Sequence, residues 1–164
     1  MAYQNQGPYM SQQPMPTMGM QVGAGGNRNA ANKPLNSSGK REWSEGLCGC
    51  FGACGTFCGA CFCPCIYYGK NRQRLAHLTN KGTPHPDGGS CCSGMCWAHC
   101  CLTSFGGWGF ILQCLNRGDT RERYGIEGGG CGDCCASFWC ASCDITQVSR
   151  EIELEEQSLM GNKY

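Results

Sequence analysis

The sequence lacks the motifs of common enzyme classes and the charge of a nucleic-acid-binding protein. It contains no phosphate-binding loop, no G-x-S-x-G or H-E-x-x-H motif and no convincing pair of catalytic carboxylates. Its formal net charge is +1, without a broad surplus of basic residues. These absences argue against an enzyme and against nucleic acid as the main ligand.

A secretory signal and a large aliphatic core are missing as well. The N-terminal residues have neither a basic region nor an apolar run, so we expect no signal peptide and therefore reduced thiols. Large aliphatic side chains are scarce, and burial of apolar area contributes only about 25 cal/mol per Å². We therefore expect the domain to need a metal, disulfides or a membrane for its stability.

Cysteine and glycine are present in excess, with 18 Cys and 26 Gly among 164 residues. All 18 cysteines lie between Cys48 and Cys143. Residues 1–42 are rich in Gln, Met, Pro, Gly and Asn without apolar periodicity, which is typical of disorder. We predict a disordered tail at 1–42, a mainly α, cysteine-rich domain at 43–156 and a short tail at 157–164.

The first apolar segment is uncharged from Gly46 to Gly69. It is long enough to cross a bilayer, which takes about 20 residues, but it is poor in Leu, Ile and Val. We predict a helix near Cys50 to Cys61, and we expect Pro64 to break or kink it. A short amphipathic helix at 69–78 and a loop at 80–90 should follow, as the Pro, Gly and Asp content of the loop indicates.

The second apolar segment runs from Gly88 to Asn116 and contains His99 as its one ionisable side chain apart from cysteine. We predict a helix at Trp97 to Leu115, either buried in the domain or spanning a membrane with Trp97 and Trp108 as interfacial anchors. A two-span hairpin would place basic residues evenly on both sides, which is mildly against two spans. One side would hold Lys40, Arg41, Arg117, Arg121 and Arg123, and the other Lys70, Arg72, Arg74 and Lys81.

A third, amphipathic helix is predicted from about Cys134 to Glu156, with Asp144 as a possible cap. Ile145, Val148 and Ile152 recur at helical spacing and indicate an apolar stripe. The acidic residues are expected to form its solvated face; these are Glu151, Glu153, Glu155 and Glu156.

Three cysteine clusters carry the candidate chemistry of the chain. Thiolates are soft ligands that suit Zn²⁺, Cu(I) and Cd²⁺. The first cluster surrounds Pro64, the second includes a histidine, and the third consists of two C-x2-C pairs. The candidate ligands are Cys58, Cys61, Cys63 and Cys65, then Cys92, Cys96, His99 and Cys100, and finally Cys131, Cys134, Cys140 and Cys143.

Other functions remain open for these residues. The cysteines can pack as small apolar side chains, and a packing role is the simpler explanation for His99 than a role as a metal ligand. Adjacent cysteines beside apolar runs, at Cys91-Cys92 and Cys100-Cys101, are also candidates for palmitoylation. A thiol oxidoreductase is disfavoured, because the C-x2-C pairs lack an accompanying βαβ pattern.

A set of motifs extends through the whole cysteine-rich domain. In chain order they are Trp43 with Gly46 and Leu47, Cys63-Pro64-Cys65, Tyr68-Gly69, Cys91-Cys92, Arg117, the run from Arg121 to Gly128, Asp133-Cys134, Cys140, Cys143, Gln147 and Arg150-Glu151. Together they resemble the placenta-specific-eight family of cysteine-rich proteins, which includes plant cadmium resistance and cell number regulator proteins. The chain departs from the family pattern at Phe57-Cys58, where Cys-Cys or Cys-Leu is usual.

The resemblance implies a membrane-associated protein, often at the plasma membrane, with cytosolic termini. It implies cadmium tolerance or transport of zinc and other divalent ions, with Cys63 and Cys65 involved in transport-active relatives. A transporter would have to be a homo-oligomer, because two short spans cannot enclose a pore. The alternative is a regulatory module with a structural metal or cysteine core, whose tail and helix at 144–159 recruit protein partners.

Overall fold

The computed structural model of the chain describes residues 25–161. Within that range a 3-10 helix, Leu47–Ala53, precedes six α-helices. Their bounds are α1 Cys54–Phe62, α2 Pro64–Lys81, α3 Gly94–Ser104, α4 Gly109–Tyr124, α5 Gly130–Trp139 and α6 Ala141–Gly161. The described residues form isolated β-bridges but no extended strand. The predicted mainly α fold is confirmed.

Pro64 separates the first two helices, as its chemistry predicted. Cys63 adopts φ −135° and ψ 66°, outside the helical region, and Pro64 is the first residue of α2. A proline ring suits that position because the first helical N–H has no partner within the helix. Among residues 25–161 no single helix is long and apolar enough to cross a membrane, whereas Leu47–Phe62 and Pro64–Lys81 meet the test together as a pair bent by 117°.

The other two predicted helices are each broken into two. The helix expected from Trp97 to Leu115 ends at Ser104 and restarts at Gly109, because Gly106 and Gly107 take φ of 141° and 75°. Such angles are incompatible with a continuing right-handed helix. The helix expected from Cys134 to Glu156 breaks at Cys140, whose φ of −135° and ψ of 54° closely match those of Cys63.

Three helical corners therefore organise the fold, and we name them by the helices they join. They are the α1–α2 corner at Cys63, the α3–α4 corner at residues 105–108 and the α5–α6 corner at Cys140. Each leads into one of the three longest helices. The short amphipathic helix predicted at 69–78 is the middle of one of these, α2.

The core has two separate parts. Ala60, Tyr68 and Ile145 form a small cluster near the corners, against which Met95 and Leu112 pack. A larger cluster forms where the later turns of α2, α4 and α6 meet, and contains Leu75, Leu78, Tyr124, Ile126, Val148 and Ile152. Because α2, α4 and α6 each begin at a corner, all three run from the first cluster towards the second.

The acidic face predicted for α6 is wrong for three of its four residues. Glu151, Glu155 and Glu156 are buried, and only Glu153 is partly exposed. Each buried carboxylate pairs with an arginine from another part of the chain, which offsets the cost of removing it from water. The pairs are Glu151 with Arg41 at 2.9 Å, Glu155 with Arg123 at 2.7 Å and Glu156 with Arg74 at 2.5 Å.

The described part of the N-terminal segment contacts the helical domain. The backbone N–H of Gly26 donates to the Glu155 carboxylate. The Arg41 side chain pairs with Glu151, and Arg41 is only 2% exposed. Residues 25–42 contain no helix, whereas 1–24, the larger part of the predicted tail, lie outside the described residues. At the other end α6 continues to Gly161, and residues 162–164 also lie outside.

Candidate functional site

All 18 cysteines fall within the described residues, and all are free thiols. Most are exposed, including Cys58 and Cys61 on α1, which lie in the uncharged segment preceding the α1–α2 corner. A few are drawn together from different helices. These inter-helix thiol contacts, rather than the clusters along the sequence, define the candidate site.

The two thiols of the Cys63-Pro64-Cys65 motif have different surroundings. Cys63 is exposed at the corner, whereas Cys65 is partly buried on the first turn of α2. Burial, followed by the charge and hydrogen bonding of neighbouring Cys65, raises the pKa of the Cys96 thiol to about 11. The first cysteine cluster thereby meets the second through Cys65 and Cys96.

Two more candidate ligands flank this contact. Cys92 and Cys100 make smaller contributions that also raise the pKa of Cys96. Cys92 is exposed, and Cys100 lies one helical turn after Cys96 on α3. The Ser93 hydroxyl caps that helix by accepting from the Cys96 N–H at 3.1 Å. We call Cys65, Cys92, Cys96 and Cys100 the α2–α3 thiol group.

His99 does not join this group. Its ring is 2% exposed, stacks on Tyr68 at a centroid distance of 4.9 Å and accepts from Gln113 Nε2 through its own Nε2 at 2.8 Å. Burial lowers the pKa of the imidazole, so the ring is neutral at pH 7. The structure therefore gives His99 a packing role between α2, α3 and α4.

Three of the four cysteines of the third cluster take part in two other groups of neighbouring thiols. Cys143 lies 3.1 Å from Cys50, sulfur to sulfur, and its pKa is raised to about 12 by burial and then by Cys50, with Cys140 and Cys48 contributing less. Cys134 lies next to Cys114, and the pKa of the Cys114 thiol is raised to about 12 by burial and then by Cys134. Cys131 is exposed.

The described thiols do not form a ready-made metal site. In residues 25–161 no group of three or more His, Cys, Asp or Glu side chains stands ready to hold an ion. The sequence could not indicate the contacts made by Cys50 and Cys114, because spacing along the chain does not show which helices pack together. Their partners lie 93 residues away in the first case and on the neighbouring helix in the second.

Trp97 and Trp108, the predicted interfacial anchors, are both exposed. Trp108 leads into a chain of ring contacts that continues through Phe110 and Phe138 to Trp139. The successive centroid distances are 6.4, 5.2 and 5.3 Å. These contacts join the α3–α4 corner to the α5–α6 corner.

Arg117 organises the buried charge next to these corners. Its guanidinium lies 4.1 Å from the centre of the Trp43 ring and pairs with Asp144 at 2.8 Å and Asp133 at 3.2 Å. Arg121 also pairs with Asp133, at 2.6 Å. The pKa of Asp144 is raised to about 6, because burial outweighs the stabilisation of its charged form by Arg117 and Ser137.

Comparison with known proteins identifies relatives of the whole domain. Cell number regulator 11 of Zea mays is 35% identical over 113 residues, covering 68% of this chain and 63% of the relative. Cell number regulator 7 of Zea mays is 33% identical over 125 residues, covering 73% of this chain and 64% of the relative. Protein plant cadmium resistance 10 of Arabidopsis thaliana is 35% identical over 129 residues, covering 72% and 64% respectively.

The chain thus spans slightly less than two thirds of the length of these relatives. No solved structure matches it significantly. The sequence model described as the PLAC8 family matches residues 43–151, which contain every helical corner and every cysteine. The chain therefore belongs to the PLAC8 family, and the resemblance to placenta-specific-eight proteins is confirmed.

Proposed function

We propose that this protein is a non-enzymatic, membrane-associated protein that captures soft metal ions through thiolates and contributes to heavy-metal tolerance. The observation that carries the proposal is the contact between Cys65 and Cys96, flanked by Cys92 and Cys100. It unites two cysteine clusters that are separate in the sequence. A relative named for cadmium resistance supports the same function.

The chemistry of the α2–α3 thiol group suits capture better than a permanent structural metal. Because the pKa of Cys96 is about 11, this thiol is protonated at neutral pH. A soft ion such as Cd²⁺, Zn²⁺ or Cu(I) must displace protons to bind. Rotation of the side chains of exposed Cys92 and of partly buried Cys65 and Cys100 would then complete the coordination. Ion affinity should rise with pH.

The first prediction compares two double variants of the full chain. Cys65→Ser with Cys96→Ser should remove the tightest Cd²⁺ equivalent and the proton release that accompanies it, because both substitutions remove soft ligands from one group. The control, Cys91→Ser with Cys101→Ser, removes two exposed thiols outside that group and should bind normally. Titration is followed by the ultraviolet thiolate-to-cadmium absorption and by a pH indicator.

Tolerance is measured with the same variants in a cadmium-sensitive host. The control pair should protect growth and the Cys65/Cys96 pair should not. Cys63→Ser should also protect, because Cys63 faces solvent at the corner. Equal Cd²⁺ stoichiometry and affinity in all variants would contradict the assignment of the α2–α3 thiol group.

A regulatory module is the second candidate, since several relatives are named cell number regulators. The helix at 144–159 is a poor recruiting surface for it, because residues 144–149 and 151–152 of α6 are buried. A module of this kind would carry metal stoichiometrically and unfold on chelation. Elemental analysis of the purified protein, followed by circular dichroism with and without chelator, separates it from reversible capture.

A further inference from the structure

Exposed apolar side chains are concentrated in three segments of the chain, 46–69, 88–116 and 128–143. Apart from Leu35 and Met160, these segments contain every large hydrophobic side chain that is exposed among the described residues. The most exposed are Phe62 at 87%, Phe105 at 85% and Trp139 at 79%, and each belongs to or directly precedes a helical corner.

The three corners lie close together. The hydroxyl of Ser142, just after the α5–α6 corner, donates to the carbonyl of Ala60, just before the α1–α2 corner, at 3.4 Å. The rings from Trp108 to Trp139 connect the α3–α4 corner to the same place. Together the corners form one continuous apolar surface, which we call the corner face.

The corner face carries no exposed charge. The three segments contain one acidic residue, Asp133, and neither lysine nor arginine, and their one histidine, His99, is 2% exposed. Asp133 is 4% exposed and is held by Arg117 and Arg121. A charged side chain in hydrocarbon is costly, so a surface without exposed charge is compatible with lipid over its whole area. A typical protein–protein interface, in contrast, has a polar rim. The absence of exposed charge therefore favours lipid as the occupant.

The charged residues meet at the opposite end of the molecule. Arg74 of α2 pairs with Glu156 of α6, and Arg72 of α2 pairs with Asp119 of α4. Arg123 of α4 donates to the carbonyl of Leu78 on α2 at 3.2 Å. Arg123 therefore contacts α2, the helix that carries Arg72 and Arg74, although a two-span hairpin would put it on the opposite side of a membrane from them.

The connection between the first two apolar segments packs against the polar and charged side chains of α2. Residues 82–93 turn back along α2, where the Ser90 N–H donates to Gln73 Oε1 at 3.0 Å. Gly89 is buried against Lys70, whose Cα lies 3.0 Å from the position a β-carbon would occupy. This connection thus packs against α2 as part of the domain.

We infer that the corner face docks into a single leaflet of a lipid bilayer, and that the chain does not cross it. The inference rests on the membrane association in the proposed function and specifies its mode. The exposed aromatic side chains at the corners enter the boundary between headgroups and acyl chains, as amphipathic surfaces do. The charged halves of α2, α4 and α6 remain in water on one side.

The topology experiment places a site-specific protease sequence in the full chain expressed in sealed membrane vesicles with the cytosolic face outward. One variant carries the site between Asp87 and Gly88, in the exposed part of the connection, and a matched variant carries it between Ser38 and Gly39. Docking in one leaflet predicts cleavage of both without detergent. Protection of only the Asp87–Gly88 site would establish two spans and overturn the inference, while leaving membrane association intact.

A second measurement uses sedimentation of the purified full chain with vesicles of phosphatidylcholine and phosphatidylserine. Phe105→Glu should reduce vesicle binding by roughly tenfold or more, because it replaces an apolar ring that the bilayer would bury with a charged side chain. Leu35→Glu, an exposed position outside the corner face, should leave binding unchanged. Phe105 is so exposed that the variant should fold, which its circular dichroism spectrum verifies.

The remaining outcomes are also decisive. If Phe105→Glu leaves vesicle binding unchanged but lowers the oligomeric state in lipid-free solution, the corner face is an interface between copies of the chain and the inference is overturned. If the unaltered protein fails to sediment with vesicles and is removed from cell membranes by alkaline carbonate, membrane association in the proposed function fails as well.

Discussion

At the scale of the residue, burial and pairing set the behaviour of the carboxylates in α6. Asp144 accepts from Arg117 and from Ser137, yet its pKa is raised to about 6. Arg117 also pairs with Asp133, so one buried guanidinium is shared by two buried carboxylates. The charged form of Asp144 is consequently more costly in the folded chain than in the unfolded one.

The second prediction concerns the pH dependence of stability. The ordinary pKa of 3.8 is raised to about 6, so between these values the folded chain holds a proton that the unfolded chain has lost. The free energy of unfolding should therefore fall by roughly 3 kcal/mol as pH rises through that window, and stay level above it. Asp144→Asn should remove this slope, as measured by urea unfolding from pH 4 to 7.

A matched control for Asp144 is available on α4. Asp119→Asn removes the same charge from an exposed ion pair with Arg72, so it should preserve the slope. Buried His99 titrates with the opposite sign, because its lowered pKa makes stability fall as pH drops. Since His99 is present in both variants, the difference between them isolates Asp144. Identical slopes would refute the assignment.

Single-residue environments were the least predictable part of the chain. The spacing of Ile145, Val148 and Ile152 correctly indicated a buried stripe, because apolar periodicity follows directly from the helical repeat. The burial of Glu151, Glu155 and Glu156 had no such local pattern. It depends on arginines that lie at least 32 residues away, and those partners are selected by the folded packing.

At the scale of the element, chain breaks were predictable where a residue imposes them by its own geometry. Proline fixes its φ and lacks an N–H, so the break before Pro64 could be inferred. The break at Cys140 could not, because cysteine has no such restriction and adopts this conformation through tertiary packing. The Gly106-Gly107 break lies between these cases, since glycine permits a turn without requiring one.

The third prediction tests the packing at the α1–α2 corner. Gly59 lies so close to α2 that a β-carbon would fall 2.2 Å from Tyr67 Oη. Gly59→Ala should therefore lower the free energy of unfolding by roughly 1–3 kcal/mol, the usual cost of overpacking. Gly55→Ala, on the same helix with open space around it, should be neutral or stabilising by up to about 1 kcal/mol.

Denaturant midpoints of the two glycine variants give the comparison directly. Their intrinsic helix propensities change equally, so any difference reports the approach of α1 to Tyr67. If Gly59→Ala were as stable as Gly55→Ala, Tyr67 would be free to move away, and the corner would be less closely packed than this geometry requires.

At the scale of the whole molecule, apolar and charged surfaces separate along the direction of α2, α4 and α6. The uncharged segments were evident from the sequence, and they left both membrane spans and a buried core open. The fold provides a third arrangement, in which short helices turn at corners and expose their apolar ends. The sequence does not show which arginines contact which carboxylates, and the arrangement of the charged residues depends on those contacts.

The candidate site shows the same limit of prediction from sequence, namely that contacts between distant residues are not visible in it. Cysteine composition and the Cys63-Pro64-Cys65 motif correctly indicated the family, because motifs in order are a property of the sequence. The meeting of Cys65 with Cys96, and of Cys50 with Cys143, depends on how α2 packs on α3 and how the 3-10 helix packs on α6. Ligand spacing along the chain therefore could not select the thiols that lie together.

The final prediction tests the link between the N-terminal segment and the last helix. Glu151 pairs with Arg41 and also accepts from the hydroxyl of Ser44 at 2.9 Å, and both members of the ion pair are 2% exposed. Glu151→Gln leaves a buried guanidinium uncompensated, which should cost roughly 3–5 kcal/mol of stability. Glu153→Gln, two residues on, should cost less than about 0.5 kcal/mol.

Limited proteolysis, measured together with urea unfolding, shows which part of the chain becomes less stable in Glu151→Gln. Arg41 is also bonded through its backbone to Gly125 and Glu127, so its release should loosen residues 25–44 together with the end of α4. New cleavage within 25–44 is therefore expected for Glu151→Gln and not for Glu153→Gln. Equal stability and equal cleavage of the two variants would mean that the backbone bonds of Arg41 to Gly125 and Glu127, and not the buried ion pair, hold this segment to the domain.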